Sequence, residues 1–381
     1  MQIPETFKDI RPFEPDELPQ VYDRLLADQQ FLSVLAFLYP GVPVEAIGTK
    51  MRQCRTNLEF QKTFCYGFLE KLLSKASTGC DINTDKVDVS KRYTFVSNHR
   101  DIVLDSALLD KLLIDAGFTT TCEIAIGDNL LTLPWVKDLV RVNKSFIVER
   151  SLPPRQMLLA SKRLSEYMHY AIDKKNENVW IAQREGRAKD SDDRTQPAIL
   201  KMMAMGGEGS PADRLAQLHI VPLAISYEYD PCDYLKAAEL QQRRDNPQFA
   251  KAPGDDINSM RTGIMGYKGR IHYHCAKCID GYLATVADMP KGEFFDTVAA
   301  HIDKEIHHHY QLFASNFVAL DILEGGNQYS SRYTEAEKKT FMGYVESQIS
   351  KITIPNPDSE FLYRTMLTMY ANPARNQLAV L

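Results

Sequence analysis

Phe95-Val96-Ser97-Asn98-His99-Arg100-Asp101-Ile102-Val103-Leu104-Asp105-Ser106 sets a histidine and two acids between an apolar run and a helical pattern. Tyr93 to Val96 is short, aromatic and β-branched and stops at Ser97-Asn98, as a strand does when it ends in a turn. Leu104, Leu108, Leu109 and Leu112 recur at helical spacing, so His99 sits at a strand exit and a helix entrance. In open α/β sheets that edge is where ligands bind. A histidine there can serve as general base if a carboxylate fixes its tautomer and stabilises the imidazolium. Asp101 and Asp105 are the candidates.

The bulk numbers narrow the setting. At 381 residues, 44% hydrophobic and 25% charged, the chain has the composition of an ordinary globular protein with room for two or three domains. A net charge of -5 argues against a nucleic-acid partner, whose footprint is basic. The N-terminal residues lack the order of a signal peptide, and no run reaches the roughly 18 apolar residues of a spanning helix, so a cytoplasmic location is expected. Seven scattered cysteines fit buried thiols better than a disulfide framework.

Three regions are expected. Residues 1–83 read as helical, with apolar positions through Leu25, Leu35 and Leu38, and with Phe60, Phe64, Phe68 and Leu72 four apart. Within it, residues 30–44 could lie on a bilayer surface, but no basic face accompanies them and packing against the main domain is the simpler reading. Residues 84–285 alternate short apolar runs with helical patterns, the rhythm of an α/β sheet. Strands are predicted at 93–96, 121–126, 146–148, 179–182, 220–225 and 270–274, helices at 104–116, 154–174 and 197–205, and a long loop between 230 and 266. Residues 286–381 return to helix at 294–313, 335–351 and 360–369, with Pro373 separating the last pieces.

Four stretches of the α/β region carry polar residues at predicted strand ends. The first holds His99, Arg100, Asp101 and Asp105. The second runs from Gly127-Asp128-Asn129 to a strand bracketed by Arg141, Lys144 and Arg150, cations suited to phosphate. The third, Trp180 to Asp190, turns at Glu185-Gly186, where glycine lets a ligand approach the main chain, and continues into Arg187 and Lys189. The fourth is Ile220 to Glu228, where Pro222 suggests an edge or a bulge.

In order, composition and spacing these stretches, over residues 93–228, resemble the four motifs of the glycerolipid acyltransferases. That family includes the glycerol-3-phosphate and 1-acylglycerol-3-phosphate acyltransferases. The resemblance implies an α/β fold with a mixed sheet flanked by helices, here with helical N- and C-terminal additions. It assigns His99 as general base and Asp105 as its orienting acid, although five residues separate them where the family has four. An extra turn residue could absorb the difference; otherwise Asp101 is the partner. Ser145 to Arg150 matches the strand that ends in a phosphate-binding arginine. Glu185 and Gly186 match the core of the third motif, with Arg187 or Lys189 as its following cation, although Gln183-Arg184 departs from the family pattern. Val221 and Pro222 match the fourth. Arg100 and Lys144 complete the expected substrate-binding set.

The implied chemistry is acyl transfer from acyl-CoA or acyl carrier protein to a lipid acceptor's hydroxyl, with no cofactor and no acyl-enzyme. No Gly-x-Ser-x-Gly elbow supplies a serine nucleophile. The expected acceptor is 1-acylglycerol-3-phosphate, then glycerol-3-phosphate, then an amino-acid lipid, and the expected setting is a peripheral contact with the inner membrane surface. Rivals are a thioesterase using the same pair and a zinc-stabilised lipid- or carrier-binding protein. For the latter, His272, His274, Cys275 and Cys278 offer zinc-type ligands, but strand alternation splits them between two faces. His307-His308-His309 reads as an interhelical polar patch, and Asp192-Asp193-Arg194 as a loop whose Arg194 could reach an anion.

Overall fold

Why the chain folds around residues 94–97 is visible in the computed structural model, which describes residues 3–150, 152–252 and 254–381. Phe95 and Val96 point to opposite faces of a sheet, and both are fully buried. Each such side chain contributes roughly 1.5–3 kcal/mol on leaving water. The strand is therefore covered on both sides, as parallel strands in α/β proteins are.

The sheet has seven strands: β1 (Gly79–Asn83), β2 (Thr94–Ser97), β3 (Cys122–Gly127), β4 (Ser145–Val148), β5 (Asn178–Ala182), β6 (Ile220–Tyr227) and β7 (Arg270–Cys275). Their order is β1-β7-β6-β2-β5-β3-β4. Only β6 and β7 pair antiparallel, which makes the sheet mixed. β2, β3, β4, β5 and β6 all run the same way, so their carboxyl ends share one edge. Six strands match the sequence pattern to within two residues. β1 was not expected: Gly-Cys-Asp-Ile-Asn is half-buried throughout and lacks a β-branched run, so the helical N-terminal stretch gives way to sheet before residue 83.

The helix Leu104–Asp115 covers the Phe95 face with Leu108, Leu109 and Leu113, and the helix Pro154–Asp173 covers the Val96 face with Leu164, Tyr167 and Met168. Two further apolar clusters hold the additions. Helices Leu18–Ala27, Gln29–Leu38 and Val44–Gln53 pack around Tyr22, Phe31 and Met51, and helices Ala314–Glu324, Glu335–Ile349 and Ser359–Leu378 around Phe341 and Met366. All seven cysteines are free thiols, four of them buried.

Several expectations fail for physical reasons. Residues 230–266 are not a loop: they form helices Asp233–Asp245 and Asp255–Met265. The first buries Asp233, Lys236, Ala237 and Gln241, and a face that polar leaves no apolar period to read. The helix expected at 294–313 ends at His308, and Ala314–Glu324 is an additional one. Pro373 lies inside the last helix instead of ending it, because buried Ala371 and Ala374 bind that segment to the core against a cost of about 3 kcal/mol. Pro222 is neither at an edge nor in a bulge. It sits between β2 and β7 with its nitrogen and its carbonyl both on the β7 side, at the end of that ladder, so the one donor it withholds is a terminal one. Its carbonyl accepts from Ala276 N at 2.9 Å.

One buried ion pair joins the N-terminal segment to this core. Lys175 Nζ lies 2.8 Å from Glu123 Oε1, a carboxylate 1% exposed, and 3.2 Å from Glu14. Lys175→Met strands that carboxylate and is expected to cost about 3–5 kcal/mol in urea denaturation. Adding Glu123→Gln should recover most of it. A loss below about 1 kcal/mol would mean that the pair behaves as a surface one.

Candidate active site

β2 ends in a turn that is tied to its neighbour before the histidine appears. Asn98 donates through Nδ2 to Ile225 O at 2.9 Å and accepts from Ile225 N at 2.8 Å, so its side chain acts as one more strand residue against β6. Ser97 carries a second tie, its Oγ accepting from Trp180 Nε1 of β5 at 3.0 Å. His99 emerges between these two strands. Its ring meets Trp180 edge-on, with centroids 5.8 Å apart.

Asp105 lies in the first turn of the helix Leu104–Asp115 and is fully buried. Its Oδ2 accepts from His99 Nδ1 at 2.8 Å, from Arg100 N at 2.6 Å and from Asp101 N at 3.0 Å. A carboxylate only accepts, so the proton sits on Nδ1 and leaves Nε2 as the basic nitrogen. Nε2 has no partner among the described residues, and His99 lines a cavity. Asp101 does something else: its Oδ1 takes Val103 N at 2.9 Å and Leu104 N at 2.7 Å, capping the helix. The additional turn residue is absorbed by that curl. Burial, then the charge of Asp105, push the Asp101 carboxyl up from the usual carboxylate range.

The cavity measures about 1240 Å³ and lies along the carboxyl edge of β2, β3, β4 and β5. One part is apolar, with Ile126, Trp135, Leu139, Ile147 and Met157. Another is charged with a small cationic excess, Arg150, Arg184, Arg187, Lys189, Arg243 and Lys251 standing against Glu149, Glu185, Asp190, Glu239 and Asp256. Arg187 is 8% exposed and its Nη1 has no partner; Arg184 Nε is likewise buried and unpaired. Buried donors left unmet are costly, and these two are able to accept an anionic partner. Gly186, at φ +68, makes the turn that carries Glu185 and Arg187 into the lining. Gly127 clears a path for Arg150, since a Cβ there would come within 2.8 Å of its Nε. Arg150 reaches Glu185 at 3.6 Å. Lys189 pairs with Glu239 at 2.7 Å, and burial brings its ammonium down to about 8.

Thus His99, Arg150, Glu185, Gly186, Arg187 and Lys189 share one cavity, with Asp105 directly behind His99. Three expected binding residues do not join them. Arg100 turns away into a buried pair with Asp193 at 2.7 Å, beneath Tyr310. Lys144, at φ +61 before β4, lies at the opposite edge of the sheet, where it binds Glu177 at 2.7 Å and Thr120 at 2.9 Å. Pro222 is enclosed in the sheet and is not among the residues lining this cavity. Arg141 holds the main chain at Lys8 and Arg11, and Arg194 pairs with Asp192. His307 donates to Asp193 O at 2.8 Å, a contact from its helix to the loop after β5 rather than between helices. The zinc-type quartet separates: His272 is bonded to Asp81, Cys275 is buried in the core, and Cys278 faces elsewhere. Arg243 and Lys251 were overlooked because their stretch read as loop; Arg243-Arg244 and Lys251 in a polar segment were the available signal.

Asp105→Ala removes the acceptor of three donors. At about 1–3 kcal/mol per unmet buried donor, a loss of roughly 3 kcal/mol or more is expected by chemical denaturation. A loss under about 1 kcal/mol would show that the carboxylate does not organise the turn.

Residues 80–226 match the family model described as Acyltransferase. No curated protein matches the chain. Among solved structures, the 1-acyl-sn-glycerophosphate (LPA) acyltransferase PlsC from Thermotoga maritima aligns at 12% identity and a TM-score of 0.35, over 74% of this chain and 95% of that one. Residues 80–226 thus carry the match to the acyltransferase family model, and the rest of the chain lies outside it.

Proposed function

We propose that this acyltransferase moves a fatty acyl group from a thioester, of CoA or of acyl carrier protein, to the free hydroxyl of 1-acylglycerol-3-phosphate. The observation that carries the reading is the placement of His99, backed by Asp105, in a cavity with one apolar part and one charged part of small cationic excess. Its volume exceeds the roughly 300–1,000 Å³ of a pocket for one small ligand, as a site for two substrates requires. The apolar part suits acyl chains. Arg187, whose Nη1 is free of partners among the described residues, suits phosphate together with Arg150, Arg184 and Lys189.

In this mechanism His99 Nε2 takes the acceptor's hydroxyl proton as its oxygen attacks the thioester carbonyl. The tetrahedral adduct collapses, the carbon–sulfur bond breaks, and the proton passes from the imidazolium to the leaving thiolate. Asp105 keeps the ring oriented and stabilises its charged form. Such a base contributes roughly 10²- to 10⁴-fold, and the remainder comes from holding the hydroxyl against the carbonyl through distant phosphate contacts.

A membrane-surface setting belongs to the same proposal. No described helix is long and apolar enough to cross a membrane. Phe37 and Leu38 are exposed at the end of the helix whose Gln30 bonds the cavity residue Trp135, Val42 is exposed just after it, and Leu158 and Leu159 are exposed next to the cavity residue Met157. A bilayer touching these positions would deliver a lipid acceptor at the apolar part of the cavity.

The test is thiol release from acyl-CoA and acyl carrier protein donors, with the acceptor absent, dispersed or in vesicles. Release that needs the acceptor, is faster with vesicles and falls roughly 10²-fold or more in His99→Ala is expected. Acceptor-independent release would replace transfer with hydrolysis. A pH series tests the charged part. Because Lys189 loses its proton near 8, raising pH from 7 to 9 removes a positive charge from the lining. KM for the anionic substrate should rise by about tenfold while kcat changes little, and Lys189→Arg, which stays charged, should flatten the rise. A KM independent of pH would take Lys189 out of anion binding.

A further inference from the structure

At the sheet edge opposite His99, three side chains of different chemistry converge. His219 immediately precedes β6, Cys278 follows β7 in the turn that leaves the sheet, and Asp280 opens the helix Asp280–Thr285. The main chain fixes their approach, since Ile279 N donates to Ile220 O at 2.9 Å and so joins the Cys278–Asp280 turn to the first residue of β6. One ligand atom from each of the three lies within 4.8 Å of those of the other two. A tetrahedral zinc ion with bonds of about 2.0–2.3 Å sets neighbouring ligand atoms about 3.5 Å apart, so small side-chain movements suffice.

We propose that His219, Cys278 and Asp280 bind a divalent transition metal, with zinc the favoured ion. Imidazole nitrogen, thiolate sulfur and carboxylate oxygen are the zinc ligand types, and two anionic donors offset a dication. A second observation points the same way. Asp280 spends Oδ2 on His219 Nδ1 at 2.7 Å, while its Oδ1 is shut off from solvent and the Cys278 thiol is the neighbour its carboxylate faces. A metal ion meets that oxygen. Binding displaces the thiol proton of Cys278 to solvent, and water completes the fourth position. The site ties the start of β6 to the turn after β7, so its role is structural rather than part of acyl transfer.

Full-length protein, reduced and stripped with a chelator, is titrated with Co²⁺ alone and then with Zn²⁺. One equivalent of Co²⁺, a thiolate-to-cobalt charge-transfer band, its removal by one equivalent of Zn²⁺ and a higher melting temperature with either ion are expected. Cys278→Ser should lose the band and His219→Ala should lose stoichiometric uptake. Both residues are partly exposed, so the far-ultraviolet circular dichroism of each variant should match wild type. Absence of stoichiometric uptake in wild type, or a band that persists in Cys278→Ser, would overturn the assignment.

Discussion

One carboxylate oxygen organises the edge of this sheet. Asp105 Oδ2 gathers His99 Nδ1 and the backbone N–H groups of Arg100 and Asp101, so a single acceptor sets both the path of the turn and the orientation of the imidazole. Neither job can be done without the other. The turn is short because β2 ends at Ser97, and it holds its place because Asn98 is bonded to β6 and Ser97 to β5. The burial of Phe95 and Val96 on opposite faces is what anchors that strand. Hydrophobic burial thus fixes β2, side-chain hydrogen bonds fix its end, and Asp105 converts that fixed end into a histidine with a defined basic nitrogen.

The sequence made most of the sheet legible because its central strands are apolar runs bounded by polar turns, and period-based reading works best there. It also separated the two acids near His99, preferring Asp105, which lies 2.8 Å from the ring while Asp101 caps a helix. Reading failed where burial is polar or local propensity is overridden. The helix Asp233–Asp245 hides behind Asp233, Lys236 and Gln241, and the last helix runs through Pro373 because its neighbours are buried. Charge alone misled at Arg100 and Lys144. Both are cations beside strand ends, yet one turns into a buried ion pair and the other lies at the wrong edge. Which edge a side chain serves depends on strand direction and on a φ of +61, neither of which composition reveals.

The segments outside residues 80–226 are not passive additions. Helices Asp233–Asp245 and Asp255–Met265 bring Arg243 and Met260 into the cavity lining, the link between them brings Lys251, and the N-terminal segment supports its apolar side through Gln30 and Trp135. Gly263 allows the second helix to lie directly on the His99 turn, since a Cβ there would collide with Asp101 Oδ2. The cavity lining is therefore built in part from elements the family match does not include.

The central claim is that Asp105 holds His99 with its proton on Nδ1 and a bare Nε2 toward the cavity. Nitrogen-15 spectroscopy of the nine histidines, with His99 assigned by its loss in His99→Ala, tests this directly at a pH where the ring is neutral. The account predicts a protonated Nδ1 and an unprotonated Nε2 in wild type, with that preference lost in Asp105→Asn. A wild-type ring protonated at Nε2, or a tautomer indifferent to Asp105, would contradict it.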